Sequence, residues 1–428
     1  MSRLEISSAP MAPLVKRQAT ATVSLVVLSQ LVHFLTFSGV ALLLPLIRED
    51  LGISFAQAGV LSAAMTTSYA LAQIPAGYFA DRYGAKRLFF GGLLGWSILA
   101  LALSAVFSYW IAVIALFAAG ACRALIFAPG LALVSSWFPP TRRATAMSLF
   151  LVGSFIGTIA LSLTAPLLTG YLGWRPAYAL YALLGILTAI AFWFFAAETT
   201  PGGPASRVNL QDARRVLRHR ITWVCNALQF IRFSSATAFN FWLPSLLLAD
   251  RGFALESVGL IVALSAACAA AANPLGAYLS DRLRSPALVI GGSLAIVACT
   301  SVLLVTVQST HALLVVIGVH SVFLTIYFGP LFSIPIEALG QRTAGLSTGI
   351  GNLFANLGAL VAAYALGHVK DATGSFAPGF YSLAVLCAAG VVLSAFLGRL
   401  RKTAVNGTPD GHAHAAMQRV LEIAPRKG

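Results

Sequence analysis

The sequence predicts an all-α membrane protein with twelve transmembrane helices, arranged in two six-helix bundles related by pseudo-twofold symmetry. The first observation is composition: of the 428 residues, 58% are hydrophobic and 10% are charged, far outside the range of soluble proteins. The second is that apolar stretches of about 20 residues, enough to cross a hydrocarbon core roughly 30 Å thick, follow one another along the chain. Since lipid excludes irregular backbone, each stretch is predicted to be a helix.

Short polar breaks separate the predicted spans, whose centres fall near residues 34, 67, 98, 123, 157, 187, 235, 267, 297, 324, 356 and 388. The first stretch, near residues 21 to 46, runs straight into further spans and lacks a small-residue cleavage site. It is therefore expected to remain as the first helix, and not to be removed as a signal peptide.

Basic residues are distributed unevenly between the two sides of the predicted bundle. The side that holds both termini has 22 of the 28 Lys and Arg residues, and the opposite side has only Arg48, Arg175, Arg251 and Lys370. By the positive-inside rule, both termini are expected in the cytoplasm and the chain in the cell inner membrane. The net charge of +15 is thus explained by the basic residues that orient the chain in the membrane. Nucleic-acid binding is not expected.

The longest interior polar stretch divides the chain nearly in half. It contains Pro201-Gly-Gly-Pro204 and a basic run that ends at Arg220, which is typical of a cytoplasmic linker. The predicted parts are an N-terminal tail (1–20), an N-terminal bundle (21–198), the linker (199–220), a C-terminal bundle (221–402) and a C-terminal tail (403–428) without an assigned function.

An internal repeat supports this division. A shift of 200 residues aligns Gly77-Tyr-Phe-Ala-Asp81-Arg82-Tyr83 with Ala277-Tyr-Leu-Ser-Asp281-Arg282-Leu283, in the matching loop of each half. Parallel repeats of this kind place a solute site between the two bundles.

Sequence motifs for enzymes, cofactors and metals are not found. The five cysteines fall inside predicted spans without a Cys-x-x-Cys pair, so we interpret them as packing residues. The chain has no Gly-rich phosphate loop, zinc-ligand spacing or nucleophile elbow. We therefore expect no metal, no cofactor and no enzymatic activity.

The loop after the second span has a specific motif. Its string Gly77-Tyr-Phe-Ala-Asp81-Arg82-Tyr-Gly84-Ala-Lys86-Arg87 resembles the Gly-x-x-x-Asp-Arg-x-Gly-Arg-Lys signature of the major facilitator superfamily. In that family the loop latches one conformation, which implies a gating role for Gly77, Asp81, Arg82, Gly84 and Arg87, and for Asp281 and Arg282 in the repeat. The alternative is a plain positive-inside turn.

Three further strings resemble the anion:cation symporter branch of that superfamily, which includes sugar-acid, organic-acid and vesicular glutamate carriers. They are Ser136-Trp-Phe-Pro-Pro-Thr-Arg-Arg143, Gly173-Trp174-Arg175 and Lys370-Asp-Ala-Thr-Gly-Ser-Phe376. The resemblance implies a secondary transporter that moves small organic anions by alternating access.

Two charged residues lie deep in predicted spans, Arg123 in the fourth and Arg232 in the seventh. An arginine at the bilayer centre costs about 3 kcal/mol, so both are expected to face the bundle interior or a water-filled cavity. All 13 acidic residues fall near span ends or outside the spans. An anionic substrate would supply the missing charge, because a guanidinium pairs bidentately with a carboxylate. The resemblance implies the same role for both arginines.

Other polar residues at interior depth are candidates to complete the site. They are Gln30 and His33 in the first span, Tyr69 in the second, Asn240 in the seventh, His320 and Tyr327 in the tenth, and Asn352 and Asn356 in the eleventh. For each, the alternative is an interhelical hydrogen bond that only packs the bundle. The expected partners are a small anionic solute and membrane lipid, with the chain as a monomer.

The mode of coupling departs from the family pattern. Related proton symporters carry an Asp-Arg pair in the first helix and a glutamate seven residues after the arginine of the fourth. Here those positions are Thr36 and Phe37, and Gly130. Anion exchange, facilitated uptake or proton coupling through His33 or His320 remain as mechanisms.

Two other functions compete with anion transport. A proton-driven drug or cation exporter shares the fold, but it would be expected to hold an interior acid. In addition, the fifth span, with Gly153-x-x-x-Gly157 and Ala165-Pro166, lacks the Gly-Pro-rich exporter motif. A non-transporting membrane sensor or enzyme is the second, and no motif supports it.

Overall fold

The computed structural model describes residues 13–138, 143–197, 210–283, 285–340 and 343–406. These ranges are almost entirely helical and contain no β-strand. The helices are α1 (Pro13–Leu42), α2 (Leu44–Leu51), α3 (Phe55–Tyr83), α4 (Ala85–Ser104), α5 (Tyr109–Ser135), α6 (Arg143–Leu172), α7 (Trp174–Phe195), α8 (Leu210–Arg218), α9 (Arg220–Ala249), α10 (Leu255–Leu283), α11 (Pro286–Thr306), α12 (Thr310–Ile326), α13 (Phe328–Leu339), α14 (Ala344–Thr373) and α15 (Ala377–Asn406).

Within the described ranges, nine segments are long and apolar enough to cross a membrane. They are Arg17–Leu42, Ala85–Ser104, Tyr109–Ser135, Thr145–Leu172, Trp174–Phe195, Leu255–Ser280, Pro286–Thr306, Leu346–Thr373 and Ala377–Arg401. The other three predicted spans coincide with α3, α9 and the α12–α13 pair. α3 and α9 are long enough, at 29 and 30 residues, but their amide and hydroxyl side chains lower the mean hydropathy. An all-α membrane protein is confirmed, and the helices agree with twelve spans.

The tenth predicted span is not one continuous helix. α12 ends at Ile326, and Tyr327 lies between α12 and α13 with φ −88° and ψ 9°. Pro330 has no backbone N–H to donate to the carbonyl of residue 326, four residues earlier, so the helical hydrogen-bond pattern is interrupted there. The Gly329-Pro330 pair in the sequence is the signal for this break.

The chain divides into two compact units. Unit 1 comprises Met1–Gly52, Ala64–Pro204 and Leu255–Ala263, and unit 2 comprises Ile53–Ala63, Ala205–Ala254 and Leu264–Gly428. The first turns of α3 therefore belong to unit 2, and those of α10 belong to unit 1. The predicted linker is described only from residue 210 onwards, where α8 forms, and residues 1–12 and 407–428 of the predicted tails lie outside the described residues.

In unit 1, α1 packs closely against α6 and α7. A Cβ atom added to Gly153 or Gly157 of α6 would overlap a backbone carbonyl of α1, so small residues allow this close approach. Thr36 joins α1 to two other helices: Trp96 Nε1 donates to its Oγ1 at 2.7 Å, and the Tyr178 hydroxyl donates to its carbonyl at 3.0 Å.

In unit 2, α14 packs against α9 and against the start of α3. A Cβ atom on Gly358 would overlap the Phe230 carbonyl, and Trp242 Nε1 donates to the Ala363 carbonyl at 3.2 Å. The Asp371 carboxylate of α14 accepts hydrogen bonds from the backbone N–H groups of Phe55 at 2.9 Å and Ala56 at 2.7 Å. An acid of α14 thus caps the N-terminus of α3, where the helix dipole favours negative charge.

Candidate functional site

Arg123 of α5 lies against aromatic rings inside unit 1. Its Cζ atom is 4.2 Å from the ring centroid of Phe37 in α1 and 4.3 Å from that of Tyr69 in α3. Both distances are within the range of cation–π attraction, which is worth about 0.5–2 kcal/mol for each favourable ring. Two of the candidate residues, Arg123 and Tyr69, are therefore brought together, and Phe37 completes an aromatic clamp around the guanidinium.

A glycine contact positions this clamp. A Cβ atom on Gly120 would overlap the carbonyl oxygen of Met65, so the backbones of α5 and α3 touch at this point. Arg123 follows Gly120 by three residues and Tyr69 follows Met65 by four, which places both side chains one turn further along their helices. The close approach of the two backbones thus brings the ring to the guanidinium.

Three acids among the described residues form ion pairs with cations other than Arg123. Ion pairs among the described residues join Arg175 to Asp50 at 2.6 Å, Lys370 to Asp250, and Arg401 to Glu337 at 2.6 Å. None of them includes Arg123, and no hydrogen bond between described residues includes Arg123 either.

Two of these ion pairs involve the strings that resemble the anion:cation symporter branch. Arg175 donates to the carbonyls of Ser104 at 3.0 Å and Val106 at 2.6 Å, as well as to Asp50. In the other string, Lys370 donates to the Gly374 carbonyl at 2.6 Å, and the Phe376 N–H donates to Asp250 at 3.0 Å. Both strings therefore hold helix ends together.

α1 carries three buried polar side chains near the clamp. Ser29, Gln30 and His33 are at most 2% exposed. Ser29 Oγ, Gln30 Nε2 and His33 Nδ1 have no hydrogen-bond partner among the described residues. The His33 ring is stacked on Phe37, with centroids 5.9 Å apart, and meets Trp96 edge-on at 4.6 Å. Ser29 was not predicted, although its spacing of four residues from His33 indicates the same helical face.

Arg232 of α9 is buried in unit 2, with 8% of its surface exposed. Its Nη1 donates to Gln229 Oε1 at 3.4 Å, and its Cζ is 4.7 Å from the Phe233 ring. Tyr327, at the α12–α13 break, is fully buried and interacts electrostatically with Arg232. Its hydroxyl has no hydrogen-bond partner in the described part of the chain. Gln229 was not predicted, although it precedes Arg232 by one helical turn.

The remaining predicted residues make other contacts. His320 is buried, and its Nδ1 lies 2.8 Å from Thr300 Oγ1, while its ring lies 4.4 Å from that of Phe239. Asn356 Nδ2 donates to the Asn352 carbonyl at 2.7 Å. Asn240 is exposed. His320 thus makes one interhelical hydrogen bond through Nδ1, and its Nε2 has no hydrogen-bond partner among the described residues.

The predicted gating loops of the two halves contain equivalent hydrogen bonds. Arg82 Nη1 donates to the Tyr78 hydroxyl at 3.4 Å, and Arg282 Nη1 donates to the Tyr278 hydroxyl at 3.3 Å. Gly84 has φ +86° between α3 and α4, a conformation that favours glycine. Arg87 is exposed. The side chains of Asp81 and Asp281, and Gly77, lie outside the described part of the chain, and their gating role remains a prediction.

Comparison with known proteins identifies the family. The model of the Major Facilitator Superfamily matches residues 26–363 and 225–424. The chain is 25% identical over 368 residues to the probable galactarate/D-glucarate transporter GudP of Bacillus subtilis, covering 77% of this chain and 81% of GudP. It is 22% identical over 394 residues to the hexuronate transporter of the same organism, covering 87% of this chain and 92% of the relative. Both names agree with the resemblance to the anion:cation symporter branch.

Solved structures show the same fold. A bacterial homologue of the human lysosomal transporter Spinster, in an inward-facing and unoccupied conformation, matches with a TM-score of 0.71 and 18% identity, over 91% of this chain and 97% of that protein. The prediction of a transporter fold, rather than an enzyme, is confirmed by these matches. The chain therefore belongs to the Major Facilitator Superfamily.

Proposed function

We propose that this protein is a secondary transporter that carries small organic anions, such as carboxylates or sugar acids, across the cell inner membrane by alternating access. The observation that carries the proposal is Arg123, which lies in a membrane helix between the rings of Phe37 and Tyr69 and makes no ion pair with a described carboxylate. The galactarate/D-glucarate and hexuronate transporters, which are named for sugar acids, support this class of cargo.

The energetic argument favours an anionic partner for Arg123. Placing an arginine at the bilayer centre costs about 3 kcal/mol. Aromatic faces offset part of this cost, at about 0.5–2 kcal/mol each, but they accept no directed N–H bonds from the edge of the guanidinium. A carboxylate accepts two such bonds in one plane. A cationic solute, as in the drug-exporter alternative, would instead be repelled by Arg123.

We propose that Arg232 also binds the anion, and that Gln30, His33, Tyr69 and Tyr327 provide further contacts. Gln30, His33 and Tyr327 are buried polar groups with atoms that lack partners among the described residues, so a solute group satisfies them on binding. Of the other candidates, His320 bonds Thr300 through Nδ1, but its Nε2 has no partner among the described residues, so His320 remains a candidate. We assign Asn356 to packing because its amide donates to the Asn352 carbonyl. Asn240 and Asn352 remain candidates from the sequence alone.

For coupling, we propose anion exchange or facilitated uptake. Thr36, at the place of the acid in related proton symporters, is buried and bonded to Trp96 and Tyr178. Phe37 replaces the adjacent arginine and contacts Arg123 instead. His33 and His320 are the alternatives for proton coupling, because His33 Nδ1 and His320 Nε2 have no hydrogen-bond partner among the described residues. We also propose cytoplasmic termini and a monomeric protein in lipid.

A counterflow assay in proteoliposomes tests the proposal. Labelled D-glucarate, D-glucuronate and a lipophilic cation are compared in the wild type and in Arg123→Ala, with Arg215→Ala, an exposed residue of α8, as the control. Anion uptake is expected in the wild type and the control, and a loss of about 100-fold in Arg123→Ala, since two charge-assisted hydrogen bonds disappear. Normal anion uptake by folded Arg123→Ala, or uptake of the cation alone, would overturn the proposal.

A further inference from the structure

A small cavity lies within unit 2, next to the residue that holds Arg232. Helices α9, α13 and α14 surround it, and its walls include Asn226, Gln229, Leu331, Pro335, Ser347 and Gly351. It has room for about one water-sized group. The cavity is therefore of the size of a hydroxyl group, and smaller than a whole solute.

Two polar side chains on the wall of this cavity have atoms that the described part of the protein does not satisfy. Asn226 and Ser347 are 3% and 4% exposed, and neither Asn226 Nδ2 nor Ser347 Oγ has a hydrogen-bond partner among the described residues. Buried polar groups in proteins are normally hydrogen-bonded, because an unpaired group loses its bonds to water without replacement. Two such groups on the wall of one cavity point to a ligand that both donates and accepts a hydrogen bond.

The position of the cavity connects it to the proposed site. Asn226, Gln229 and Arg232 follow one another at intervals of three residues, and Thr222 precedes Asn226 by four, so these four share one face of α9. Gln229 lies on the cavity wall and also accepts the hydrogen bond from Arg232. A solute held by Arg232 thus has the cavity beside it.

A glycine keeps the cavity open on the side of α14. A Cβ atom added to Gly351 would lie 3.8 Å from Asn226 Oδ1 and 3.8 Å from Gln229 Cγ, which is ordinary van der Waals contact. An alanine therefore fits at this position without overlap, but it occupies the space beside the two amides. Gly349 of the same helix is exposed, with nothing within 4 Å of an added Cβ atom, and provides a matched control.

We propose that this cavity is a hydroxyl-binding subsite through which the transporter prefers hydroxylated acids over unsubstituted carboxylates of the same length. The inference rests on the proposed function and extends it to the choice of substrate. A hydroxyl group accepts a bond from the Asn226 amide and donates one to Ser347 Oγ. A methylene group fills the same space and leaves both unpaired, and sites that bond a substrate hydroxyl discriminate strongly against analogues that lack it.

The test compares D-glucarate with adipate, which has the same carbon chain without hydroxyl groups. Uptake of each acid is measured in proteoliposomes for the wild type, Asn226→Leu, Ser347→Ala and Gly351→Ala, with Gly349→Ala as the control. The wild type and the control are expected to prefer glucarate. Each of the other three variants is expected to lower the ratio of glucarate to adipate uptake about tenfold, with adipate uptake unchanged.

The possible outcomes separate the two proposals. A glucarate-to-adipate ratio that is the same in all variants, or uptake of both acids lowered equally in all three cavity variants, would overturn the subsite while leaving anion transport in place. A wild type that transports neither acid would overturn the subsite, and a lack of D-glucuronate uptake as well would overturn the proposed function. Loss of folding in one variant, seen by size-exclusion chromatography, leaves the other two to decide, and Gly351→Ala adds only a contact at ordinary distance.

Discussion

The two buried arginines are held in different ways. In unit 1, Arg123 contacts the rings of Phe37 and Tyr69 and makes no hydrogen bond to a described residue. In unit 2, Arg232 is more deeply buried and donates a hydrogen bond to Gln229, whose side chain borders the polar cavity. Aromatic faces leave the edge of a guanidinium available for a carboxylate, whereas an amide occupies part of it. We infer that Arg123 provides most of the anion affinity, and that Arg232 contributes to substrate selectivity.

Close glycine contacts between helices position the aromatic rings near both arginines. Gly120 of α5 touches the Met65 carbonyl of α3 in unit 1, and Gly276 of α10 touches the Ile326 carbonyl of α12 in unit 2. The first contact lies one turn from Arg123, and the second lies beside Tyr327. In both units, backbone contact between two helices thus fixes an aromatic ring close to a cation.

The largest expected effect comes from breaking the helix contact in unit 1. Gly120→Ala places a Cβ atom on the Met65 carbonyl, so α3 and α5 must separate and Tyr69 must move away from Arg123. We expect a loss of stability of about 1–3 kcal/mol, as for other overpacked sites, and weaker anion binding. Thermal unfolding in detergent and uptake kinetics measure these effects. Gly91→Ala in α4, which has open space around it, should change neither.

Replacing each arginine by lysine sharpens the comparison. Lysine keeps the positive charge but loses the planar pair of donors. We expect Arg123→Lys to raise KM for D-glucarate about tenfold, because one of two directed hydrogen bonds is lost. Arg232→Lys should change KM less, since Lys also donates to an amide oxygen such as that of Gln229. Equal effects of the two substitutions would contradict the different roles of the arginines.

The aromatic clamp predicts a smaller effect. Tyr69→Leu keeps the apolar volume but removes one ring face from Arg123, at a cost of about 1 kcal/mol. We expect the affinity for D-glucarate to fall about fivefold, as measured by inhibition of labelled uptake. Tyr69→Phe keeps the ring face and removes only the hydroxyl group, so it separates the contact with Arg123 from a hydroxyl contact to the anion. Equal losses of affinity in Tyr69→Phe and Tyr69→Leu would assign the role to the hydroxyl group instead.

The smallest expected effect concerns Asp371. Its carboxylate binds the N-terminus of α3, and the prediction does not involve either buried arginine. Asp371→Ala removes the carboxylate that accepts from the Phe55 and Ala56 N–H groups at the N-terminus of α3 and should lower stability by about 1 kcal/mol, without changing the affinity for the anion. Asp371→Asn should lower stability less, because its one side-chain oxygen still accepts one of these two hydrogen bonds. Thermal unfolding and uptake measurements test both variants. Altered anion affinity in Asp371→Ala would show that this acid acts on the substrate site.

Much of the fold follows from local properties of the sequence. Hydropathy located the spans, and an arginine within an apolar stretch identified Arg123 and Arg232 directly. The repeated Asp-Arg string also predicted equivalent loops, and the Arg82–Tyr78 and Arg282–Tyr278 hydrogen bonds are equivalent. A local pattern is sufficient for these features because each depends on a single helix or turn.

Contacts between helices could not be predicted in the same way. Helical spacing indicates which residues share a face, but it does not indicate which face of another helix they meet. The contact of Phe37 with Arg123 and the contact of Asp371 with α3 both depend on such pairing. Asn226 and Ser347 were missed because polar residues near span ends are common. The spacing of Thr222, Asn226, Gln229 and Arg232 signals Asn226, and no local pattern signals Ser347.

Binding of labelled D-glucarate to purified protein in detergent tests the central claim most directly, because it does not depend on the coupling mechanism. Wild type and Arg123→Ala are compared at equilibrium, and thermal unfolding of each confirms that both are folded. The account predicts a Kd about 100-fold higher for Arg123→Ala, since the guanidinium donates two charge-assisted hydrogen bonds to the carboxylate. An equal Kd for the two proteins would contradict it.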